Sequence, residues 1–458
     1  MTQTYDAVVI GGGSAGLAFS KRAASHGVRI AMVEKAELGG TCVNRGCVPK
    51  KMLWHIAHVH RTAAAFGRTG ELDAVPHPRL DRAHEVIGHH IEGIRENYLD
   101  TIEERGIDLV RGEARIAEHG DEVTVEVDDR VLRAPAIVIA CGTEPARPDI
   151  PGIDLTDTSD DAFAWTEAPE RLLIIGGGYI GVEFATVMAA FGSNVTIVET
   201  GDDILDGFDP DAVALARRHL ERDKVTIITN AELESVERSN NDLVARFEGA
   251  EPVRCDKVLV ATGRKPRAAS LGPVAANLET AENGTLAVDE AFQTSRPGIY
   301  AVGDAADRMP LTPVARRDGD WLADHLFGNG ETGPRLDLDL VATSTFCDPP
   351  IAQVGKTHAS DDVASLHVDR DEGAPLEDGL LEEEDGPRDD DISRGASRTL
   401  YKLLTDGKGG ALRGAVLVSR TAPDEIAWAA AAIEAKLDLR TLRRPAPVHP
   451  TFAEEFMG

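Results

Sequence analysis

The sequence predicts an α/β fold in which one supersecondary unit occurs twice, followed by a C-terminal α+β region. The first copy combines an apolar strand over residues 5–10, a glycine loop at 11–16 and a helix that runs to about His26. The second copy combines an apolar strand at 171–175 with a glycine loop at 176–181 and another helix. Strands that alternate with helices indicate a parallel sheet, so the repeat indicates two domains of this kind.

Each glycine loop has G-x-G-x-x-G spacing and is followed by an acidic residue where the next strand ends. The loops contain Gly11, Gly13, Ser14, Ala15 and Gly16 in the first copy and Gly176, Gly178, Tyr179, Ile180 and Gly181 in the second. Glu34 lies 18 positions after Gly16, and Glu199 lies 18 positions after Gly181. Glycines let the backbone approach a pyrophosphate, the helix N-terminus supplies N–H groups, and the carboxylate accepts hydrogen bonds from a ribose. The sequence therefore predicts two Rossmann-like dinucleotide-binding sites.

A second repeated element supports the duplication. Residues 137–145 and 258–266 each contain a strand that ends in a small residue, a glycine turn and a proline, with Gly142 and Gly263 in the turns. Each element follows its own glycine loop, which predicts that one nucleotide-binding domain is inserted in the other. The predicted boundaries are 1–145 with 265–334 for the first domain and a central segment, 146–264 for the second domain, and 335–458 for the C-terminal domain.

Composition limits the partners and the compartment. The formal net charge is −30, from 78 acidic and 48 basic residues. This charge disfavours nucleic acid and anionic membranes as partners, and a strongly acidic surface is typical of a halophile with a high-salt cytoplasm. No apolar run is long enough to span a bilayer, and the N-terminus is short and polar. We therefore expect a cytoplasmic protein.

Two cysteines mark the predicted centre of the chemistry. Cys42 and Cys47 lie five positions apart, behind Gly40 and Thr41 and ahead of Lys50. The pair follows the first nucleotide-binding unit directly, which predicts a redox-active disulfide beside an electron donor. A pyridine nucleotide alone does not readily reduce a disulfide, whereas a flavin accepts hydride and passes electrons to sulfur. We therefore assign FAD to the first site and a nicotinamide nucleotide to the second.

The end of the strand in the second copy bears on the choice of nucleotide. Glu199 suits a free 2′-hydroxyl and repels a 2′-phosphate. No cation is offered by the residues that follow, namely Thr200, Gly201, Asp202, Asp203 and Asp206. The sequence therefore favours NADH over NADPH.

Together these residues resemble the pyridine nucleotide–disulfide oxidoreductases, FAD flavoproteins that include glutathione reductase and dihydrolipoamide dehydrogenase. The resemblance covers nearly the whole chain and is most specific at the first glycine loop and in the segments 40–50, 303–315 and 449–454. It implies an FAD domain, an inserted NAD(P) domain, a central segment and a C-terminal dimerisation domain. The implied activity of this homodimer is transfer of electrons from NAD(P)H through FAD and the Cys42–Cys47 disulfide to a soluble disulfide.

The resemblance also implies roles for residues at matching positions. Cys42 would be the interchange thiol that attacks the substrate, and Cys47 the thiolate that faces the flavin. His449, oriented by Glu454, would be the acid/base and would act on the cysteines of the other subunit. The other implied cofactor contacts are Lys50 (or Lys51) paired with Glu183 near the flavin N5, Tyr179 covering the flavin, Asp304 at the ribitol, Thr312 at the isoalloxazine edge, Glu34 at the adenosine ribose, the backbone of Ala114 at the adenine, and Gly40, Thr41, Gly142 and Gly263.

The chain departs from the glutathione reductase pattern at Thr200 and Asp206, where NADPH-dependent members carry arginines, and at two substrate-site positions. Asp320 stands where an arginine that binds a glutathione carboxylate is usual, and Arg95 stands where a substrate-site tyrosine is usual. We therefore expect another low-molecular-weight disulfide, with bis-γ-glutamylcystine as the hypothesis that fits an acidic, high-salt chain. Dihydrolipoamide dehydrogenase is the main alternative: Glu199 favours it, and the segments 48–51 and 311–313 oppose it. A flavin oxidase or transhydrogenase, and an assembly subunit of a 2-oxoacid dehydrogenase complex, are further alternatives.

Overall fold

The computed structural model describes residues 2–68, 72–120, 122–330, 332–358, 363–370, 399–407 and 410–447. Its strands are β1 (Thr2–Thr4), β2 (Ala7–Ile10), β3 (Ile30–Glu34), β4 (Asp108–Arg111), β5 (Arg115–His119), β6 (Glu122–Val127), β7 (Arg130–Arg133), β8 (Ala136–Ile139), β9 (Thr143–Pro145), β10 (Asp157–Thr158), β11 (Arg171–Ile175), β12 (Asn194–Val198), β13 (Thr226–Ile228), β14 (Glu232–Ser239), β15 (Asp242–Glu248), β16 (Val253–Cys255), β17 (Lys257–Val260), β18 (Arg264–Pro266), β19 (Ile299–Ala301), β20 (Thr343–Thr345), β21 (Ile351–Gly355), β22 (Val363–Arg370), β23 (Thr399–Asp406) and β24 (Leu412–Val418). Its α-helices are α1 (Ser14–Ser25), α2 (Gly40–Arg45), α3 (Cys47–Arg68), α4 (Leu80–Glu104), α5 (Ser159–Ala162), α6 (Tyr179–Ala190), α7 (Pro210–Arg222), α8 (Pro273–Ala276), α9 (Thr312–Phe327), α10 (Ala422–Glu434) and α11 (Leu439–Leu442). Within these ranges, none of the helices has the length and apolar character needed to cross a membrane.

The chain divides into two compact units. The first draws on residues 1–50, 84–146 and 263–336, and the second on residues 51–83, 147–262 and 337–458. Each unit contains a parallel sheet with one glycine loop. The finer domain boundaries expected from the sequence stay a prediction.

The first unit is built on the parallel sheet β19-β8-β2-β3-β4. Its strands are apolar on both faces because helices and loops cover both sides. Val8 and Ile10 belong to one core cluster, whereas Val9 belongs to the cluster on the other face together with Phe19 of α1. Ile10 pairs with both Val33 and Ile139, so β2, β3 and β8 end at one edge of the sheet. The glycine loop leaves the sheet at this edge.

The second unit repeats the arrangement with the parallel sheet β10-β17-β11-β12-β13. In it β11, β12, β13 and β17 take the places that β2, β3, β4 and β8 take in the first unit. Each parallel sheet is accompanied by a meander, β5-β6-β7 in the first unit and β14-β15-β16 in the second. This repetition confirms the predicted fold class with its two Rossmann-like domains, although the meanders have no counterpart in the sequence analysis.

The C-terminal part of the second unit is an antiparallel sheet, β20-β21-β24-β23-β22, with helix α10 packed against it. Alanine at 422, 429 and 432 lets α10 lie close to the sheet, and Ile426 fills the space beside them. Tyr401 and Leu417 from the sheet complete this core. The predicted C-terminal α+β region is therefore confirmed.

Candidate active site

The first glycine loop has a backbone that only glycine supports. Gly11 has φ +112°, and a Cβ there would lie 2.3 Å from the carbonyl oxygen of Ala140. A Cβ on Gly16 would lie 1.9 Å from the carbonyl oxygen of Gly11. Helix α1 begins immediately after Gly13, whose cap position carries no side-chain hydrogen bond. The first N–H groups of α1 are thus left uncapped by a side chain, which is the arrangement that binds a pyrophosphate.

Glu34 is fixed beside this loop at the end of β3. Its Oε2 accepts the backbone N–H of Gly12 at 2.6 Å, and its Oε1 accepts the N–H of Ala36 at 2.7 Å. An ionised carboxylate has about four acceptor positions, so acceptor capacity is left for ribose hydroxyl groups. The loop and the carboxylate together fit the adenosine half of FAD.

The cysteine segment packs directly onto the first loop. The Gly39 N–H donates to the carbonyl oxygen of Gly12 at 2.8 Å. A Cβ on Gly40, which has φ +57°, would lie 2.8 Å from the Cα of Gly13. Close approach of two backbones therefore requires glycine at position 40, whereas Gly39 is required by its φ of +98° and by the Val43 side chain. The pair holds α2 against the nucleotide loop.

Cys42 and Cys47 are both free thiols here, the reduced form of the predicted disulfide. Cys42 is half-buried on α2, whereas Cys47 is exposed at the start of α3. A side-chain hydrogen bond joins the two thiols. Thr312 lies beside them, with its Oγ1 3.6 Å from the Cys47 sulfur, and Ser14 forms a hydrogen bond with Cys42. The structure thus brings together residues from the loop, the cysteine segment and α9.

The two thiols differ in acidity. The hydrogen bond from Cys42, with further contributions from Thr312 and the charge of Lys50, outweighs burial and lowers the pKa of Cys47 to about 6. The same hydrogen bond and burial raise the pKa of Cys42. Cys47 also begins a helix, where the dipole favours an anion. The reduced pair therefore carries its negative charge on Cys47, with Cys42 as the thiol.

The other candidate FAD contacts of the first unit lie in its loops. Burial raises the pKa of Asp304, and the charge of Arg264 opposes this shift. The Arg264 guanidinium also lies 3.5 Å from the Thr41 hydroxyl, through its Nη2. Ala114 is buried, and Gly142 and Gly263 both have positive φ. The positions are consistent with cofactor contacts, and the individual roles stay predictions.

The second glycine loop repeats the first. Gly176 has φ +106°, and a Cβ there would lie 2.5 Å from the carbonyl oxygen of Ala261. A Cβ on Gly181 would lie 2.0 Å from the carbonyl oxygen of Gly176. Helix α6 follows Gly178, again without a side-chain cap. Unlike the first loop, this one is open: Gly178 is exposed, and Tyr179 is 47% exposed.

Glu199 occupies the same place in the second copy as Glu34 in the first. Its Oε2 accepts the N–H of Gly177 at 2.6 Å, and its Oε1 accepts the Gly201 N–H and the Thr200 hydroxyl, each at 2.9 Å. Burial raises the pKa of Glu199, but the hydrogen bonds from Gly201, Gly177 and Thr200 outweigh it, so the net shift is downward. The group is therefore a fixed carboxylate at neutral pH.

Glu183 lies in the second unit and is only 4% exposed on α6. Its Oε1 accepts the backbone N–H of Phe346 at 2.9 Å, a contact that sequence analysis missed because a backbone donor carries no residue signature. Lys51 places its Nζ 4.3 Å from the centroid of the Trp54 ring and 3.8 Å from that of Phe346. The pairing of Lys50 with Glu183 stays a prediction, and the aromatic contacts of Lys51 make it a less suitable substitute. His449 and Glu454 lie outside the described residues.

A basic cluster near Cys42 was also missed as a cluster, although one member, Arg95, was named from the sequence as a substrate-site position. Arg95 donates through Nε to the side-chain oxygen of Asn44 at 2.8 Å, within the cysteine segment. Burial raises the pKa of Tyr98, Cys42 raises it further, and Arg316 opposes the shift. The Nζ of Lys21 lies 5.8 Å from the centroid of the Tyr98 ring. The sequence gives little indication of this cluster, because its side chains come from three helices that are far apart in the chain, α1, α4 and α9.

Comparison with known proteins agrees with this geometry. Residues 5–319 match the family model "Pyridine nucleotide-disulphide oxidoreductase", and residues 341–458 match its dimerisation domain. The chain is 34% identical to a glutathione reductase from Nostoc sp. over 481 residues, covering 100% of this chain and 99% of the relative. It is 33% identical to a glutathione reductase from Burkholderia cepacia, covering 99% and 98%.

A solved structure of a flavoprotein disulfide reductase has the same fold as this chain. The Cu(II) complex of the HOCl-induced flavoprotein disulfide reductase RclA from Escherichia coli superposes with a TM-score of 0.84 at 28% identity, covering 99% of this chain and 98% of that one. The fold of this chain is therefore that of a known flavoprotein class. The chain belongs to the pyridine nucleotide-disulphide oxidoreductase family.

Proposed function

We propose that this enzyme reduces a small acidic disulfide with electrons from NADH. The observation that carries the proposal is the Cys42–Cys47 pair, whose pKa values are shifted in opposite directions beside the first glycine loop. FAD, when bound, accepts hydride from the nicotinamide nucleotide and supplies two electrons to a disulfide. The thiol–disulfide exchange and the proton transfers that follow are carried out by side chains of the protein.

We assign the FAD contacts to residues of the first unit. The uncapped start of α1 would hold the pyrophosphate, and Glu34 would hold the adenosine ribose. The backbone of Ala114 would face the adenine. At the other end of the cofactor, Asp304 would bind the ribitol, and Thr312 would line the isoalloxazine edge beside Cys47.

The thiols then reduce the substrate by two exchange steps. The sulfur of Cys42 attacks one substrate sulfur, which forms a mixed disulfide and releases the first product thiol. Cys47, as thiolate, attacks the Cys42 sulfur, which expels the second product thiol and re-forms the Cys42–Cys47 disulfide. The low pKa of Cys47 suits this second step, because its thiolate is present at neutral pH without a base.

Cys42 needs a base for the first step because its pKa is raised. We assign this role to His449 of the partner subunit, with Glu454 as the carboxylate that orients the imidazole. The protonated imidazole then gives the proton to the departing thiolate. This assignment makes the homodimer the active form, in keeping with the match to the dimerisation domain.

The second unit holds the nicotinamide nucleotide in this proposal. Its pyrophosphate would lie at the start of α6, with Glu199 on the adenosine ribose. Tyr179 would cover the nicotinamide position until the nucleotide displaces it, and its 47% exposure supports such a movable role. Glu199 as an ionised carboxylate favours NADH over NADPH.

The basic cluster supports an acidic disulfide as substrate. Asp320 lies at the surface of α9; partial desolvation by neighbouring groups raises its pKa, and the charges of Arg316, Arg22 and Lys21 oppose that shift. The carboxylate at position 320 thus stands among cations, with Arg316 one helical turn away on the same helix. We propose that Arg316 and Lys21 bind substrate carboxylates and that bis-γ-glutamylcystine is the substrate.

Three broader assignments complete the proposal. The FAD-binding domain with the central segment spans residues 1–145 and 265–334. The NAD(P)-binding domain spans residues 146–264, and the dimerisation domain spans residues 335–458. We place the enzyme in the cytoplasm of a halophile, which the net charge of −30 supports. Dihydrolipoamide dehydrogenase is kept as the alternative function.

A turnover screen tests the proposal. Purified enzyme is assayed at molar salt with NADH and NADPH against bis-γ-glutamylcystine, glutathione disulfide, lipoamide and Cu(II). We expect the highest kcat/KM with bis-γ-glutamylcystine. A much faster reaction with lipoamide would establish the alternative, and a reaction with Cu(II) alone would remove the disulfide as substrate.

A pair of neighbouring arginines sharpens the test. Arg316→Gln should lower kcat/KM for the acidic disulfide about tenfold, because a charge-assisted hydrogen bond contributes about 1.5–3 kcal/mol. It should leave the kinetics with lipoamide unchanged, because lipoamide carries no carboxylate. Arg317→Gln, one position further along α9 and also exposed, is the matched control and should change neither. Equal effects of the two variants would show that only net charge matters.

A further inference from the structure

We infer that Asp203 determines nucleotide selectivity by holding Arg217 away from a 2′-phosphate. The inference rests on the proposed nucleotide site at Glu199. Sequence analysis finds no cation in the loop after β12, but the structure brings one there from α7. The selectivity for NADH would then have two parts, a carboxylate that meets the ribose and an ion pair that neutralises Arg217.

The loop that contains Asp203 is fixed to the nucleotide site. The Leu205 N–H donates to the carbonyl oxygen of Gly177 at 2.8 Å. A Cβ on Gly177 would lie 2.9 Å from the Ile204 side chain and 3.2 Å from Oε2 of Glu199. Residue 203 therefore belongs to a turn that touches the same glycine that binds the selecting carboxylate.

Arg217 reaches this turn from the second half of α7. Its Nε and Nη2 donate to one oxygen of Asp203, at 3.0 and 2.7 Å. Its Nη1 lies 3.6 Å from the Glu221 carboxylate, four residues further along the helix. Carboxylates thus contact both sides of the guanidinium.

The chemistry of arginine explains why this arrangement matters. A guanidinium is always charged and binds phosphate through two parallel N–H donors. In this chain the Nε–Nη2 edge, which is suited to a phosphate, is taken by Asp203. Asp203 also holds its own backbone, because its Oδ1 accepts the Ile204 N–H at 2.8 Å. The carboxylate is therefore positioned independently of Arg217, whose release would leave an unpaired Nε–Nη2 edge at the turn that contacts Gly177.

Nucleotide binding to the purified FAD-containing enzyme tests the inference. Dissociation constants for NADH and NADPH are measured by calorimetry without any disulfide, so the test does not depend on the identity of the substrate. Asp203→Asn should shift the ratio of the two constants toward NADPH by about three- to fivefold, the range given by an exposed ion pair. The double variant Asp203→Asn with Arg217→Ala should lose this gain. Asp202→Asn removes one charge from the same loop without touching Arg217, and it should give a smaller shift than Asp203→Asn.

Each of the other outcomes overturns the inference. If Asp203→Asn and Asp202→Asn shift the ratio equally, the loop acts only through its net charge. If the double variant keeps the gain, Arg217 is not the group that was released. If Arg217→Ala alone weakens NADPH more than NADH, the arginine already serves the nucleotide in the parent enzyme. NADH affinity within about twofold of the parent verifies that each variant is folded. A lack of disulfide turnover would count against the proposed function and leave this test intact.

Discussion

The two glycine loops share one backbone but have different surroundings. In each, the first glycine has φ near +110° and faces a carbonyl oxygen, and the second donates to a glutamate oxygen at 2.6 Å. The first loop is covered by the cysteine segment, since Gly13 touches Gly40 and Ser14 bonds to Cys42. The second loop is open, with Gly178 and Tyr179 exposed.

Under the proposed function, this difference would separate retention of a cofactor from exchange of a cosubstrate. The backbone that binds a pyrophosphate is the same in both copies, so it does not decide how long a nucleotide stays. We expect the segments packed onto each loop to make the difference. A covered loop suits a resident FAD whose electrons must reach sulfur, whereas an open loop suits a nucleotide that binds and leaves in every turnover.

The largest effect comes from removing the chemistry of the covered site alone. Cys42→Ser should lower disulfide turnover on the order of 10³-fold or more, because a hydroxyl does not attack sulfur. NADH affinity at the open site should stay within about twofold, since no residue of that loop is changed. Steady-state assays and calorimetry provide the two measurements. Cys255→Ser, which alters a buried thiol of β16, is the control and should retain turnover. Substantial turnover by Cys42→Ser would refute the dithiol relay.

Alanine at the equivalent glycine of each loop should affect flavin binding in one case and NADH binding in the other. Gly11→Ala and Gly176→Ala introduce a Cβ at 2.3 and 2.5 Å from a carbonyl oxygen. We expect Gly11→Ala to be purified without bound flavin, and Gly176→Ala to keep its flavin absorbance but bind NADH at least about tenfold more weakly. Overpacking of this kind costs about 1–3 kcal/mol.

The chain supplies matched controls for this pair. Gly27 and Gly192 follow the ends of α1 and α6, have φ +79° and +95°, and leave space for a Cβ. Alanine at either position should lower stability by about 1 kcal/mol through backbone strain and leave both nucleotides bound. If Gly11→Ala and Gly176→Ala gave identical losses of flavin, the two loops would not serve different nucleotides.

Features with a local backbone cause were predictable from the sequence. Gly11, Gly16, Gly176 and Gly181 are required by positive φ or by close approach, and such requirements leave glycine in the sequence. The carboxylates Glu34 and Glu199 were predictable because the strand that ends in each follows its glycine loop at a fixed spacing of 18 residues.

Features that depend on tertiary packing were not predictable. Arg217 meets Asp203 only because α7 packs beside the turn after β12, and charge alone does not choose that partner. The basic cluster around Tyr98 collects side chains from α1, α4 and α9. Glu183 binds a backbone N–H of Phe346, a donor that every residue except proline offers. Such contacts are determined by the folded arrangement of distant segments.

The acidity of Cys47 gives a smaller effect at the covered site. Its pKa is lowered to about 6, with the Cys42 hydrogen bond as the largest cause and Lys50 among the others. Since the folded pKa is depressed, the stabilising effect of the thiolate is present above the unfolded value of 9.0 and is lost as the pH falls through about 6. Lys50→Met should raise the midpoint of alkylation by iodoacetamide by less than about one pH unit. Lys51→Met is the control and should leave it in place, because that lysine contacts Trp54 and Phe346. The opposite result would assign the charge to Lys51.

The smallest expected effect concerns the residue that begins the helix after each glycine loop, α1 or α6. This residue is Ser14 in the covered copy, where it bonds to Cys42, and Tyr179 in the open copy. Tyr179→Ser gives the second loop the residue of the first. If the ring covers the nicotinamide position, its removal takes away the cost of displacing it, and the dissociation constant for NADH should fall about two- to threefold. Thermal stability should change little because nearly half of the ring is exposed. Calorimetry and a melting curve measure the two effects, and Ser14→Ala should leave NADH affinity unchanged. A tenfold weaker affinity in Tyr179→Ser would instead make the ring part of the nucleotide-binding surface, and the openness of the second loop would then reflect a missing ligand contact more than a route for exchange.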